Sequence, residues 1–221
     1  SFEIWGREKF LLGKKDGEIS AGEILKHCGI SSEMLNYYLT AEPLAYYTIT
    51  KEVPQNILIL ENLDPFYGMR KYSIETGAER IFGLRIGTLI YGGGKRVSRA
   101  FSDFELLAEP YMSAEGNHFY YAGDIDYEGI GIYESFSERV KDHVKIAPFV
   151  PYYKEMLNKT KAGDEIDKLP QMKAGQVKCK GEFFFEYFEE DDIKKMETIL
   201  EAGKYVPQEI LSVRDYKDYE I

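Results

Sequence analysis

The sequence predicts an α/β fold: a mostly parallel four-stranded sheet flanked by helices, with a small helical module before it and an extension after it. Three observations point there. From Asn56 onward, short apolar runs alternate with longer segments of helical period. The clearest run, Ile57-Leu58-Ile59-Leu60, is continuously apolar, as in a strand buried on both faces. The runs also end in turn chemistry, at Glu61-Asn62, Gly92-Gly93-Gly94 and Gly123-Asp124, where a strand hands over to a crossover helix.

The helical entry module is expected over residues 1–50. Residues 1–17 show no clear period. Ser20 is placed to cap a helix, with Glu23 at the capping-box position, and GEILKHCGI continues it. Cys28 falls in that helix and reads as a small buried hydrophobe. Ser31-Ser32-Glu33 opens a second helix through MLNYYL, and LAYYTIT, residues 44–50, reads as a strand.

The core is expected over 51–162. Its strands fall near 56–61, 86–91, 118–123 and 144–148, and its helices near 65–77, 97–109, 128–142 and 151–161. Pro65 suits the first helical position, and Pro148 and Pro151 punctuate the last unit. The extension, 163–221, is expected to pack on the core. It begins in a Lys-, Asp- and Gly-rich loop over 162–181, followed by the apolar GEFFFEYF. Glu189, Glu190, Asp191 and Asp192 then set negative charge at the start of the helix DDIKKMETILEAG, where the helix dipole favours it, and Gly203 ends that helix. This acidic run is helix-start chemistry, not a metal site.

At 221 residues the chain is long enough to bury a substantial core. Its formal charge of −10 argues against a nonspecific nucleic-acid coat. It does not exclude an enzyme acting on DNA, because local cations and metal ions reverse the field at one site. The 18 Tyr and 13 Phe often occur in doublets, such as Tyr120-Tyr121 and Tyr152-Tyr153, which read as packing rather than base stacking. Two distant cysteines, Cys28 and Cys179, imply neither zinc nor a disulfide framework, and His27, His118 and His143 are scattered. No signal peptide or membrane-length apolar run is visible, so a cytoplasmic location is expected.

The chemistry concentrates in two places. HFYYAGDIDYEGIG, residues 118–131, leads an apolar run into Asp124 and Asp126. Alternate side chains of a strand share a face, so both carboxylates can converge at the strand's carboxyl end, where open α/β sheets place ligands. Carboxylates that close repel unless a proton or cation lies between them, and a hard divalent cation suits oxygen ligands. The competing reading makes Asp126 the cap of the next helix. NILILENLDPF, residues 56–66, ends a second apolar run in Glu61, which makes a third carboxylate if the two strands are parallel neighbours. Asp64 is either a further metal ligand or a cap before Pro65, and helix-start chemistry accounts for Glu128. YGGGKRVSR, residues 91–99, follows a strand with glycines and with Lys95, Arg96 and Arg99. It is not a Walker loop, and it reads either as a phosphate contact or as an ordinary turn.

Together, LILENLDPF at 58–66, LIYGGGKRVS at 89–98, YYAGDIDYEGIGIYESF at 120–136 and the tail YVPQEIL at 205–211 resemble the Rossmann-like Toprim domain. The similarity is to the form found in the C-terminal region of the JetD family, the nuclease subunits of Wadjet anti-plasmid defence systems and relatives of the topoisomerase VI A subunit. It spans roughly residues 45 to 215. The resemblance implies a metal-dependent DNA endonuclease. Glu61, Asp124 and Asp126 would be its catalytic, Mg²⁺- or Mn²⁺-binding residues, with Asp64 as an auxiliary ligand and Lys95, Arg96 and Arg99 on DNA phosphate. It further implies double-stranded DNA as substrate, another N-terminal domain before Ser1 and SMC-like complex subunits as partners; a homodimer is compatible with it. The first alternative is a non-catalytic Toprim-like module that binds metal or a partner. The second is a phospho-receiver domain, but that needs an acidic pair after its first strand and a phosphoacceptor Asp after its third. Glu61 and Asp-x-Asp fit the Toprim order better.

Overall fold

The computed structural model describes residues 21–31, 34, 43–160, 166–173 and 175–217. Residues 1–40 and 41–221 form two compact units. In the first, helix α1 (Ala21–His27) buries Leu25. Cys28 follows the end of α1 and is exposed, not the buried hydrophobe that its sequence context suggests. The chain turns there through Gly29, at φ 65°, so the helical face does not continue. The expected cap at Ser20, the stretch 1–17 and most of the second expected helix lie outside the described residues.

The second unit opens with β1 (Ala45–Thr48), β2 (Asn56–Leu60) and α2 (Leu63–Thr76). A small hairpin follows, β3 (Arg80–Ile81) and β4 (Leu84–Arg85), then β5 (Thr88–Tyr91) and the short helices α3 (Val97–Ala100) and α4 (Phe104–Leu107). Next come β6 (His118–Ala122), α5 (Tyr127–Val140), β7 (Ile146–Pro148), α6 (Val150–Lys159), α7 (Glu182–Phe185) and α8 (Glu190–Glu201).

Among the described residues, five strands form one sheet in the order β1-β5-β2-β6-β7. Strands β5, β2, β6 and β7 are mutually parallel, and β1 pairs antiparallel with β5. The sheet is thus mostly parallel, as expected, but has five strands rather than four. The extra strand is the 44–50 segment, which belongs to the sheet. Its residues are at most half-buried, as suits an edge, so it lacks the continuous apolar run that marks a central strand. Ile57, Leu58, Ile59 and Leu60 are fully buried at the sheet's centre.

The expected helix over 97–109 is broken. A 3₁₀ turn at Phe101–Asp103 separates α3 from α4. Side chains at i and i+3 eclipse in a 3₁₀ turn, and here Phe101 and Phe104 stack with centroids 4.6 Å apart and planes 9° apart. Helix α2 begins at Leu63, so Pro65 is its third residue rather than its first. It still lies in the first turn, where its missing N–H forfeits no helical bond. The β3–β4 hairpin was not anticipated. Its turn residues Phe82 and Gly83 have φ 50° and 80°, and Phe82 is anchored by edge contacts to Phe149, Tyr152 and Tyr216.

Residues 182–217 lie against this core through aromatic contacts. Phe184 meets Tyr133 and Tyr153 at 5.6 and 5.1 Å, and Tyr216 meets Tyr72 at 6.1 Å. The Tyr152-Tyr153 doublet is fully buried among these rings, which is the packing role expected of it. Helix α8 starts with its run of acids and ends at Gly203, φ 73°, as expected. No helix among the described residues is long and apolar enough to cross a membrane.

Candidate functional site

The register that pairs Leu60 with Ala122 brings the carboxyl ends of β2 and β6 level. Glu61 and Gly123 are therefore the next residues on neighbouring parallel strands, and the Glu61 N–H donates to the Ala122 carbonyl at 2.9 Å. Glu61 is 9% exposed, and its Oε2 accepts from the Tyr121 hydroxyl at 2.8 Å. Gly123 makes that position accessible. A Cβ there would lie 2.4 Å from Glu61 Oε2, closer than any side chain tolerates.

The two aspartates are held differently. Asp124 Oδ1 accepts from the Gln208 backbone N–H at 2.7 Å. The Asn62 amide reaches Asp124 Oδ2 at 3.5 Å and Glu209 Oε1 at 3.4 Å. Ile125 is fully buried and bridged to Val206 by two backbone bonds of 3.0 and 3.2 Å, which pins the residue between the aspartates. Asp126 caps α5: its Oδ1 accepts from the Gly129 N–H at 2.6 Å, and its Oδ2 accepts from Gln176 Nε2 at 2.7 Å. The helix-cap reading of Asp126 is therefore correct for this conformation.

Burial pushes Glu61 up to about 7, with Asp124, Asp126 and Glu128 adding to the rise and the Tyr121 hydrogen bond opposing it. Burial likewise pushes Asp124 up to about 6. The Gln208 N–H and Asn62 oppose that rise, and Glu209 and Asp126 add to it. Glu128 moves the other way: its ion pair with Lys95, at 2.7 Å, holds it below the ordinary glutamate value.

The structure thus brings Glu61, Asp124 and Asp126 to one sheet edge. Asp64 stands apart, exposed in the first turn of α2, where its charge suits the helix dipole. It is neither the helix cap, a position held by Asn62, nor part of the buried group. The glycine turn does share the edge: the Gly93 N–H donates to the Glu61 carbonyl at 3.1 Å, and Gly93 and Gly94 take φ of 69° and 63°. Lys95, Arg96 and Arg99 follow it and line a groove of about 1000 Å³, together with α5 residues.

Four residues at the site were not anticipated: Tyr121, Asn62, Gln176 and Gln208. Gln208 lies inside YVPQEIL and Asn62 beside Glu61, so both sat in segments already singled out. Gln176 sits in an unpatterned loop and carried no signal.

The donor chemistry of Glu61 and Asp124 fits a hard divalent cation. Both are carboxylates, Glu61 is buried and Asp124 half-buried, and each is raised in part by the charge of its neighbours. Asp126 is committed to Gly129 and Gln176 as the side chains stand. Among the described residues, no group of three or more His, Cys, Asp or Glu side chains is drawn together closely enough to hold a metal ion.

No protein-family model matches the chain, and no curated protein matches it significantly.

Proposed function

We propose that the chain is a metal-dependent DNA endonuclease of Toprim type, using Mg²⁺ or Mn²⁺ and acting within a Wadjet-like anti-plasmid complex. One observation carries the reading. Two carboxylates, Glu61 buried and Asp124 half-buried, sit at the carboxyl tips of adjacent parallel strands with pKa values pushed toward neutrality. Such an arrangement is costly unless a cation compensates it, and perturbed acids of this kind concentrate at functional sites. The sequence resemblance over 58–66, 89–98 and 120–136 supports the Toprim and Wadjet assignments.

The bound ion would polarise the scissile phosphodiester and lower the pKa of an attacking water. Glu61 and Asp124 would hold it. The Tyr121 hydroxyl and the Gln208 N–H already fix one oxygen of each, which orients the other. Asp126 would complete the ligand set once Gln176 releases its Oδ2. Lys95, Arg96 and Arg99 would bind substrate phosphates at the same edge. Hydrolysis fits better than tyrosyl transfer. Tyr121 and Tyr153, the tyrosines against Glu61 and Gly123, are fully buried and hold their protons well above the ordinary tyrosine value. An additional N-terminal domain and SMC-like partners would supply most of the DNA affinity, since a chain of formal charge −10 attracts a polyanion weakly.

The test is nicking or linearisation of supercoiled plasmid with Mg²⁺, Mn²⁺ or EDTA, comparing wild type with Asp124→Asn. Cleavage that needs the metal and Asp124 is expected. Equal activity of the variant, or activity in EDTA, refutes the assignment. A second reading, a non-catalytic Toprim-like module that binds metal or a partner, draws on the full engagement of Asp126 by Gly129 and Gln176. It predicts metal binding without cleavage.

A further inference from the structure

We infer that the groove lined by α5, Lys173 and residues 175–179 binds a single strand of nucleic acid, with Arg139, Lys173 and Lys178 holding its phosphates. Although the whole chain is strongly acidic, six basic residues line this groove: Lys95, Arg96, Arg99, Arg139, Lys173 and Lys178. One acid, Glu128, lines it among the described residues, and Glu128 is already paired with Lys95. The six cations come from three separate stretches of chain, so no single helix or charge run accounts for them. Such local concentration against the global charge is the electrostatic footprint of a polyanion site.

Size and lining specify the polyanion further. About 1000 Å³ lies at the upper end of small-ligand sites, roughly 300–1,000 Å³, which matches a few nucleotides of one strand more closely than a duplex. Tyr127 and Val177 share the lining; Tyr127 is half-buried and Val177 is 85% exposed. A cationic track with apolar and aromatic faces beside it is how single strands are held, phosphates on the charges and bases on the faces.

The groove is also continuous with the buried acids. Gln176 lines it and donates to Asp126, and Glu128 lines it and raises Glu61. A strand lying there would place its phosphodiesters at the candidate cleavage edge. Lys173 and Lys178 flank Gln176 in sequence, so a strand they engage bears on the segment that caps Asp126. The substrate would then be a locally separated strand, a flap or a single-stranded end. The inference takes the identity of the polyanion from the nuclease reading, but it is tested by binding alone.

The experiment is fluorescence anisotropy of the full chain in EDTA, with a labelled single strand of about 12 nucleotides, inside the site sizes known for single-strand binders, and a blunt duplex of equal length. The single strand should bind at least about tenfold tighter, the gap expected of a site that fits one strand better than a duplex. Neutralising Arg139, Lys173 and Lys178 together with Gln should flatten the dependence of log K on log salt by about 2, since each phosphate contact contributes about 0.7 for single strands. Lys154→Gln with Lys194→Gln, an equal kind of charge change on α6 and α8, should leave that slope unchanged. Thermal melts check that every variant is folded. A duplex bound as tightly as the single strand overturns the strand assignment, and an unchanged slope in the triple variant overturns the residues. Absence of plasmid cleavage by the wild type in Mg²⁺ or Mn²⁺, with groove binding intact, would refute the nuclease reading alone.

Discussion

Two groups of acids in this chain obey opposite physics. At the start of α8, Glu189 and Glu190 keep 79% and 83% of their side-chain surface in solvent. Lys154 reaches Glu189 at 2.9 Å and Asp192 at 3.6 Å, and Lys194 reaches Glu190 at 2.9 Å. At the sheet edge, Glu61 and Asp126 are nearly buried, Asp124 lies beside them, and Glu61 and Asp124 are pushed to about 7 and about 6. The first group is denser in sequence, yet Glu189 and Glu190 are solvated and paired, and the run is aligned with a helix dipole. The second is sparser but desolvated and mutually repelling. Acid density does not make a site; carboxylates buried together without enough compensation do.

The largest expected effect separates the two groups by function. Glu61→Gln or Asp124→Asn should lower plasmid cleavage by at least about 100-fold, because a metal held by these groups contributes several kcal/mol to the barrier. Glu190→Gln with Asp191→Asn should leave the rate unchanged. Loss of activity in the α8 variants, or its survival in the sheet-edge variants, would break the contrast.

The next effect is on stability against pH, measured by denaturant unfolding in EDTA. Glu61 rises in the fold from an ordinary 4.5 to about 7, and Asp124 from 3.8 to about 6. A raised acid favours the folded state while it is protonated. This contribution is whole below the ordinary values and is lost as the pH climbs through about 6 and then about 7. For Glu61 the loss is on the order of 3 kcal/mol. Glu61→Gln should therefore be more stable than wild type at pH 8 and should flatten the profile between pH 5 and 8. Wild-type stability that rises across this window would contradict the assigned environment.

Gly123→Ala tests the packing behind the contrast. Its Cβ would press on Glu61 Oε2, so a cost of about 1–3 kcal/mol is expected from unfolding curves, with the Glu61–Tyr121 bond displaced. The smallest effect belongs to α8. Asp191→Asn should cost only about 0.3–1 kcal/mol, and that cost should shrink in high salt.

Much of this contrast was legible in the sequence. Glu61 and Asp124 each end an apolar run, so two buried strands tipped with acids were plain in the sequence; that the two strands are parallel neighbours, the condition for the acids to meet, is shown by their pairing. The α8 acids precede a helical period and end at Gly203, so their role was equally plain. What escaped depends on distant chain. Gln176 meets Asp126 across 50 residues and Gln208 meets Asp124 across 84, separations at which no local period is informative. The antiparallel edge strand at 45–48 escaped inclusion in the sheet because half-buried strands lack a continuous apolar signature. The split of the 97–109 helix coincides with stacking of Phe101 on Phe104, a local i,i+3 contact suited to a 3₁₀ turn, which an apolar period does not distinguish from a continuous helix.

The central claim is that the sheet edge is built around a cation. The most direct test is a crystal of the chain soaked in Mn²⁺, with anomalous scattering collected at the manganese edge. The account predicts a peak bonded to carboxylate oxygens of Glu61 and Asp124 at roughly 2.0–2.3 Å, with the Gln176 amide withdrawn from Asp126. A peak at the α8 acids instead, or none at the sheet edge under saturating Mn²⁺, would contradict it.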